Sequence, residues 1–170
     1  MKVLFLDVDG VLNRHDCDKV ANCNPIHRNL VERLNWVLLT TGAKVVLSSA
    51  WRYMVHRGEL NMSGLDWLLR SHGLAQDRLI GITKRDTMIS RMTGFNGDPA
   101  SWPAENERGQ QITDWLIYNN PEVYAVVDDL DLGISAAGHP FVQTDGSVGL
   151  TWEDAFALHS LLMRNPHATQ

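Results

Sequence analysis

The chain predicts an α/β fold with a mainly parallel central sheet covered by helices on both faces. Three observations lead there. Short apolar runs alternate with helical patterns along the whole sequence. The runs are apolar throughout rather than alternating with polar residues, as strands buried on both faces must be. The stretches joining the runs hold helical patterns, and a helical crossover is how one parallel strand reaches the next.

Each element has its own warrant. Val3 to Leu6 is a buried strand that stops at Asp7-Val8-Asp9-Gly10. Asn24-Pro25 reads as a helix start, with Asn capping and Pro in the first turn. Ile26, Leu30, Leu34 and Leu38 recur at one helical spacing and, with Val31, make an apolar stripe that Gly42 ends. Ala43 to Leu47 is the second strand and runs into Ser48-Ser49-Ala50-Trp51-Arg52. Ser63-x-x-Asp66 resembles a capping box for a helix through Leu69 that stops at Gly73. Leu79 to Thr83 is a short third strand. From Lys84 to Glu105 the chain is irregular and rich in Gly, Pro, Ser and Asn, a length usually associated with function or motion. Glu107 to Asn119 reads as a helix with Ile112, Trp115 and Leu116 inward. Val123 to Val127 is the fourth strand, ending at Asp128-Asp129, and Phe141 to Gln143 a fifth, at the edge. Thr151-x-x-Asp154 caps a last helix through Met163, with Ala155, Leu158 and Leu162 on its buried side.

Size and composition bound the function. A chain of 170 residues suits one domain spanning 1–170, too short for two ordinary ones. No apolar stretch approaches the roughly 20 residues that cross a bilayer. The first strand begins at once, without the regions of a signal peptide, so the expected location is the cytoplasm. Cys17 and Cys23 are too few for a disulfide framework. With His15 and His27 they form a Cys/His set whose spacing matches no zinc pattern, so unrelated surface and core roles are expected. A formal net charge of -5 argues against a surface that grips nucleic acid all over. It leaves room for a local basic cleft from Arg52, Arg57, Lys84, Arg85, Arg91 and Arg108. The histidines show no catalytic pairing, and a solvated surface role is expected for them.

Chemistry gathers at strand ends. In an open parallel sheet all strand carboxyl ends share one edge, where ligands bind. Asp7 and Asp9, Ser48 and Ser49, and Asp128 and Asp129 should therefore meet there, with Arg108 at the start of the helix before the fourth strand. Adjacent carboxylates are costly unless a cation lies between them or they share a proton. A calcium loop starting at Asp7 would need a bidentate Glu at its twelfth position, and Asp18 stands there. Carboxylates, a hydroxyl and a fixed cation are instead what phosphoryl transfer uses. Ser49 reads either as a phosphate contact or as a helix cap, and Arg52 either as a phosphate contact or as a brace. Trp51 and Trp102 read either as base-stacking surfaces or as anchors. Asp131 reads as a turn residue or as a group supporting the ligands rather than a ligand itself, and Asp145-Gly146 as a turn.

The motifs Asp-Val-Asp-Gly-Val-Leu-Asn, Val-Leu-Ser-Ser-Ala-Trp-Arg, Arg-Gly-x-x-Ile-x-x-Trp-Leu and Gly149-Leu-Thr resemble the haloacid dehalogenase (HAD) superfamily. Within it they are similar to the small HAD domains of "Swiss army knife" RNA-repair proteins. The resemblance implies a three-layer, HAD-like Rossmannoid fold with minimal or no cap, and a Mg²⁺-dependent phosphatase. It implies Asp7 as nucleophile, Asp9 as general acid/base that also lends its backbone carbonyl to Mg²⁺, and Ser48 as the phosphate-binding hydroxyl. Asp128 becomes a Mg²⁺ ligand, with Asp129 as second ligand or orienter. Two departures stand out: Val11 where Thr is common, and Arg108 where Lys is usual, so that Lys84 or Arg85 is an alternative source of that cation. With little room for a lid, a large substrate such as a polynucleotide terminus is expected, or a nucleotide. The competing class is a non-catalytic phosphate-accepting or nucleic-acid-binding module, which has no need of a second acid two residues past the acceptor.

Overall fold

The apolar runs pair side by side into one sheet of five strands in the order β3-β2-β1-β4-β5, every neighbouring pair parallel. The computed structural model describes residues 1–15, 25–84 and 107–164. Along these the strands are β1 (Lys2–Leu6), β2 (Lys44–Leu47), β3 (Leu79–Ile82), β4 (Val123–Asp128) and β5 (Phe141–Gln143). The helices are α1 (Arg28–Thr41), α2 (Tyr53–His56), α3 (Met62–Ser71), α4 (Arg108–Asn119) and α5 (Trp152–Leu162), with a 3₁₀ turn at Ala50–Arg52.

Side chains alternate across a strand, so each strand feeds both faces. Leu4 and Leu6, Val45 and Leu47, and Ala125 and Val127 enter a large core with Leu30, Leu34 and Leu38 of α1, Leu65 and Leu69 of α3, and Leu158 and Leu162 of α5. Val3, Phe5, Val46 and Val126 enter a smaller core with Ile112 of α4 and Ile134. Phe5 meets the rings of Trp115 and Tyr124 edge to face, at 5.3 and 6.0 Å. Helices thus cover both faces, as the apolar runs require.

Two helix ends follow the sequence expectation. Gly42 takes the left-handed conformation at φ 74° and its N–H reaches Leu38 O, closing α1. Thr151 and Asp154 form a reciprocal capping box at α5. Two helix starts do not. α1 begins at Arg28 after His27, with no side-chain cap, so Pro25 precedes the helix rather than opening it; Asn24 lies outside the described residues. α3 is capped by Asn61, whose Oδ1 accepts from Gly64 N at 2.8 Å, while Ser63 sits inside the helix. Both residues are good caps, and Asn61 lies where the extended backbone ends. Among the described residues, α2 and α3 are the only α-helices between β2 and β3, and no helix is long and apolar enough to cross a membrane.

The chain order fixes where the site falls. From β1 the chain builds outward through β2 and β3, then returns to the other side of β1 as β4. The carboxyl ends of β1 and β4 therefore flank the topological switch point, where such sheets open a crevice.

Candidate active site

Asp7 directly follows β1, and Asp128 is the last residue of β4. Asp7 N–H still donates to Val127 O at 3.0 Å, which holds the acid at the strand end. Asp7, Asp128 and Asp129 each turn a carboxylate oxygen toward the others, all within 4.8 Å. Asp128 is fully buried and Asp7 nearly so. This set of hard oxygens suits Mg²⁺, which takes one or two carboxylates together with water and phosphate oxygens.

Gly10 makes the cluster sterically possible. Its φ of 73° lies in the left-handed region, and a Cβ there would stand 2.5 Å from Asp129 Cγ. Thr144 Oγ1 donates to Gly10 O at 2.9 Å and Thr144 N–H to Asp128 O at 3.0 Å, tying the β1 turn to the end of β4.

Arg108 opens α4, whose N-terminus faces the carboxyl edge of the sheet because the crossover helix runs antiparallel to its strands. It donates a short hydrogen bond from Nη1 to Asp128 Oδ2, and the same nitrogen lies 3.4 Å from Asp7 Oδ2. Gly109 packs so closely on Gly133 O that no side chain fits, which seats the start of α4 under that loop. Among the described residues, the cation that reaches the carboxylates is thus Arg108. Lys84 is exposed, its ammonium 5.8 Å from the centre of the Tyr118 ring, and Arg85 lies outside the described residues.

Burial governs the electrostatics. It pushes the Asp7 carboxyl up from its ordinary value, against the lowering effects of Arg108, a hydrogen bond from Ser49 and one from the Val8 backbone. Asp128 is raised to about 7, first by burial and then by the Asp7 charge. Burial also works against the Arg108 charge, but the two carboxylates outweigh it and push its pKa up. One guanidinium is thus insufficient for two buried carboxylates, and a divalent cation would complete the balance.

Ser48 and Ser49 follow β2, with Ser48 N–H bonded to Leu6 O at 2.9 Å, beside Asp7. The Ser48 hydroxyl is buried and has no hydrogen-bond partner among the described residues. A buried polar group without a partner is unusual and marks a place for a ligand or water. Ser49 caps, as one of its two readings expected: its hydroxyl oxygen accepts from Trp51 N at 3.3 Å, and the side chain also hydrogen-bonds Asp7. Arg52 is a brace. It is buried, donating to Ser48 O and Ser49 O and, at 2.7 Å, to Gln111 Oε1 of α4.

Asp9 stands apart from the three-carboxylate cluster. Asn13 Nδ2 donates to its Oδ1 at 2.6 Å, and Trp51 Nε1 donates to its Oδ2 at 3.1 Å. Asn13 Oδ1 in turn accepts from Gly10 N at 2.8 Å, so one amide side chain fixes both the turn and the acid. These roles were not assigned from the sequence. An Asn four residues past a turn carboxylate is a local signal that points to the first of them; nothing local points to Trp51.

The described basic residues do not form an exposed cleft, because Arg52 and Arg108 are buried and Arg57 pairs with Glu59 at 2.6 Å. Several described histidines depart from the solvated role, His139 and His15 among them. His139 is buried because both ring nitrogens are satisfied: Tyr124 OH lies 3.0 Å from Nδ1, and Gly109 O 2.9 Å and Thr113 Oγ1 3.1 Å from Nε2. His15 keeps Nε2 at 3.1 Å from Asp129 Oδ2. Asp131 and Asp145 cap turns through Ser135 N and Ser147 N, as expected. Cys17, Cys23, Arg91 and Trp102 lie outside the described residues.

No curated protein and no solved structure matches the chain. The family described as the HAD domain in Swiss Army Knife RNA repair proteins matches residues 3–155, from β1 into α5. With the match running over most of the sequence and a five-stranded parallel sheet beneath it, the chain belongs to this HAD family.

Proposed function

We propose that the protein is a Mg²⁺-dependent phosphomonoesterase that works through an aspartyl-phosphate on Asp7, with nucleotides or polynucleotide ends as substrates. The observation that carries this reading is the meeting of three carboxylates, a buried cation and a buried unpaired hydroxyl at one sheet edge. Family membership supports the same reading, and its printed description points toward RNA repair.

Asp7, Asp128 and Asp129, with the Asp9 backbone carbonyl, would hold the Mg²⁺ ion. When bound, the ion offsets charge on the transferring phosphoryl group. Ser48 Oγ and Arg108 hold phosphate oxygens and leave phosphorus in line with an Asp7 oxygen. Asp7 attacks phosphorus, the bond from phosphorus to the ester oxygen breaks, and Asp9 gives that oxygen its proton. Water then loses a proton to Asp9 and attacks phosphorus. The Asp7–phosphorus bond breaks, inorganic phosphate leaves, and both acids return to their starting states. A phosphate-accepting module would stop after the first half, so turnover separates the two classes.

The test is hydrolysis of p-nitrophenyl phosphate with Mg²⁺, followed by a screen of phosphorylated nucleotides, oligonucleotides and sugars. Asp7→Asn is expected to lower turnover by at least about 10³-fold while the circular dichroism spectrum is kept. Full activity in excess chelator, or in the Asp7→Asn protein, would overturn the assignment.

A further inference from the structure

An apolar recess adjoins the carboxylate site. Ala50, Trp51, Met54 and Leu68, all half-buried, line an open recess of about 350 Å³, and among the described residues no charged side chain lines it. That volume falls within the range of small-molecule sites. Trp51 belongs to both places. Its Nε1–H is donated to Asp9, and its side chain is one wall of the recess.

If Asp9 protonates the leaving oxygen, the leaving group must come within hydrogen-bond reach of Asp9. It then lies beside the indole that holds Asp9. A charged or strongly hydrated group would lose solvation against four apolar walls and gain nothing in return. A flat, uncharged ring would be desolvated there and would stack on the indole. We propose that the recess takes the base of the phosphate-bearing nucleotide, with Trp51 as both its stacking surface and the positioning residue of Asp9. This rests on the phosphatase reading for the role of Asp9. It deepens that reading by giving the base of the substrate a place, one that a sugar phosphate or a phosphoprotein would leave empty.

The experiment compares two phosphate-ended oligonucleotides that differ only in whether the terminal nucleotide carries a base. Wild-type protein is expected to favour the base-bearing end at least tenfold in kcat/KM, about the value of one stacked base. Leu68→Asp, which puts a charge in the recess, should bring that ratio close to one. Trp51→Phe keeps an aromatic wall and removes the N–H; it should keep most of the ratio and KM while kcat falls about tenfold on both substrates. A wild-type ratio near one, a ratio that survives Leu68→Asp, or an unchanged kcat in Trp51→Phe would overturn the proposal. If Trp51→Phe fails to fold by circular dichroism, the Leu68→Asp ratio decides. Should the wild type hydrolyse neither substrate, the phosphatase reading falls. The recess is then judged by fluorescence anisotropy with the same oligonucleotides: tighter binding of the base-bearing one, lost in Leu68→Asp, supports it, and equal binding overturns it.

Discussion

The two faces of the sheet differ in what they contribute. On one face, α1, α3 and α5 close over a broad aliphatic core. On the other, α4 rests on a thin layer with six buried residues among those described, including Phe5, Ile112 and Ile134. Yet among the described residues the thin face delivers the only buried guanidinium that reaches the carboxylates, Arg108 on the first turn of α4. The broad face supplies most of the burial and, apart from the turn residues above it, little of the chemistry. Stability and reactivity are therefore largely assigned to opposite sides of the same strands, through nothing more than their alternation.

The largest effect expected from this division belongs to Arg108. Arg108→Met should lower turnover by about 10²–10³-fold, the range for removal of one preorganised charge-stabilising group. It should also lower stability by about 3 kcal/mol at neutral pH, because Asp7 and Asp128 would face each other without their cation. Urea denaturation with and without Mg²⁺ measures the second effect, and added Mg²⁺ should restore part of it.

Leu34→Ala tests the other face. Leu34 is fully buried in the broad core, and its truncation should cost about 2–5 kcal/mol. Turnover per folded molecule should stay near the wild-type value. If it fell as far as in Arg108→Met, the separation of the two faces would be wrong.

A third prediction uses pH. The Asp128 carboxyl titrates at about 7 in the fold against an ordinary 3.8, so between those values the folded chain holds a proton that the unfolded chain has lost. Stability from this group is therefore complete below pH 3.8 and declines as pH rises to about 7. Melting temperatures measured without divalent ions should show this decline after allowance for other groups, and Mg²⁺ should flatten it. A rise through that window, attributable to Asp128 by comparison with Asp128→Asn, would contradict the assignment. The smallest effect is at α3: Asn61→Ala should cost about 1 kcal/mol by chemical denaturation, and Ser63→Ala much less.

Much of this was legible in the sequence because it is local. A buried run stopping at Asp7, another at Ser48 and a third at Asp128 need only the rule that parallel strands share one edge. Gly42 and the Thr151–Asp154 box are likewise signals read within a single turn. What escaped is what joins distant segments. Trp51 reaches Asp9 across 42 positions, and His139 reaches Gly109 across 30, contacts that only the folded sheet creates. The start of α3 escaped for another reason: Asn61 and Ser63 carry equivalent capping chemistry, and only the direction of the incoming backbone selects between them.

The absence of space above Gly10 has a consequence for anyone rebuilding this corner in another protein. The loop after β1 and the acid after β4 interlock like two halves of a clasp, since a single added carbon at position 10 would displace Asp129. Grafting Asp7 through Asn13 alone would transplant Asp7 and Asp9 without Asp128 and Asp129, the carboxylates that Asp7 meets. The transferable unit is a pair of discontinuous segments, and neither is an independent part.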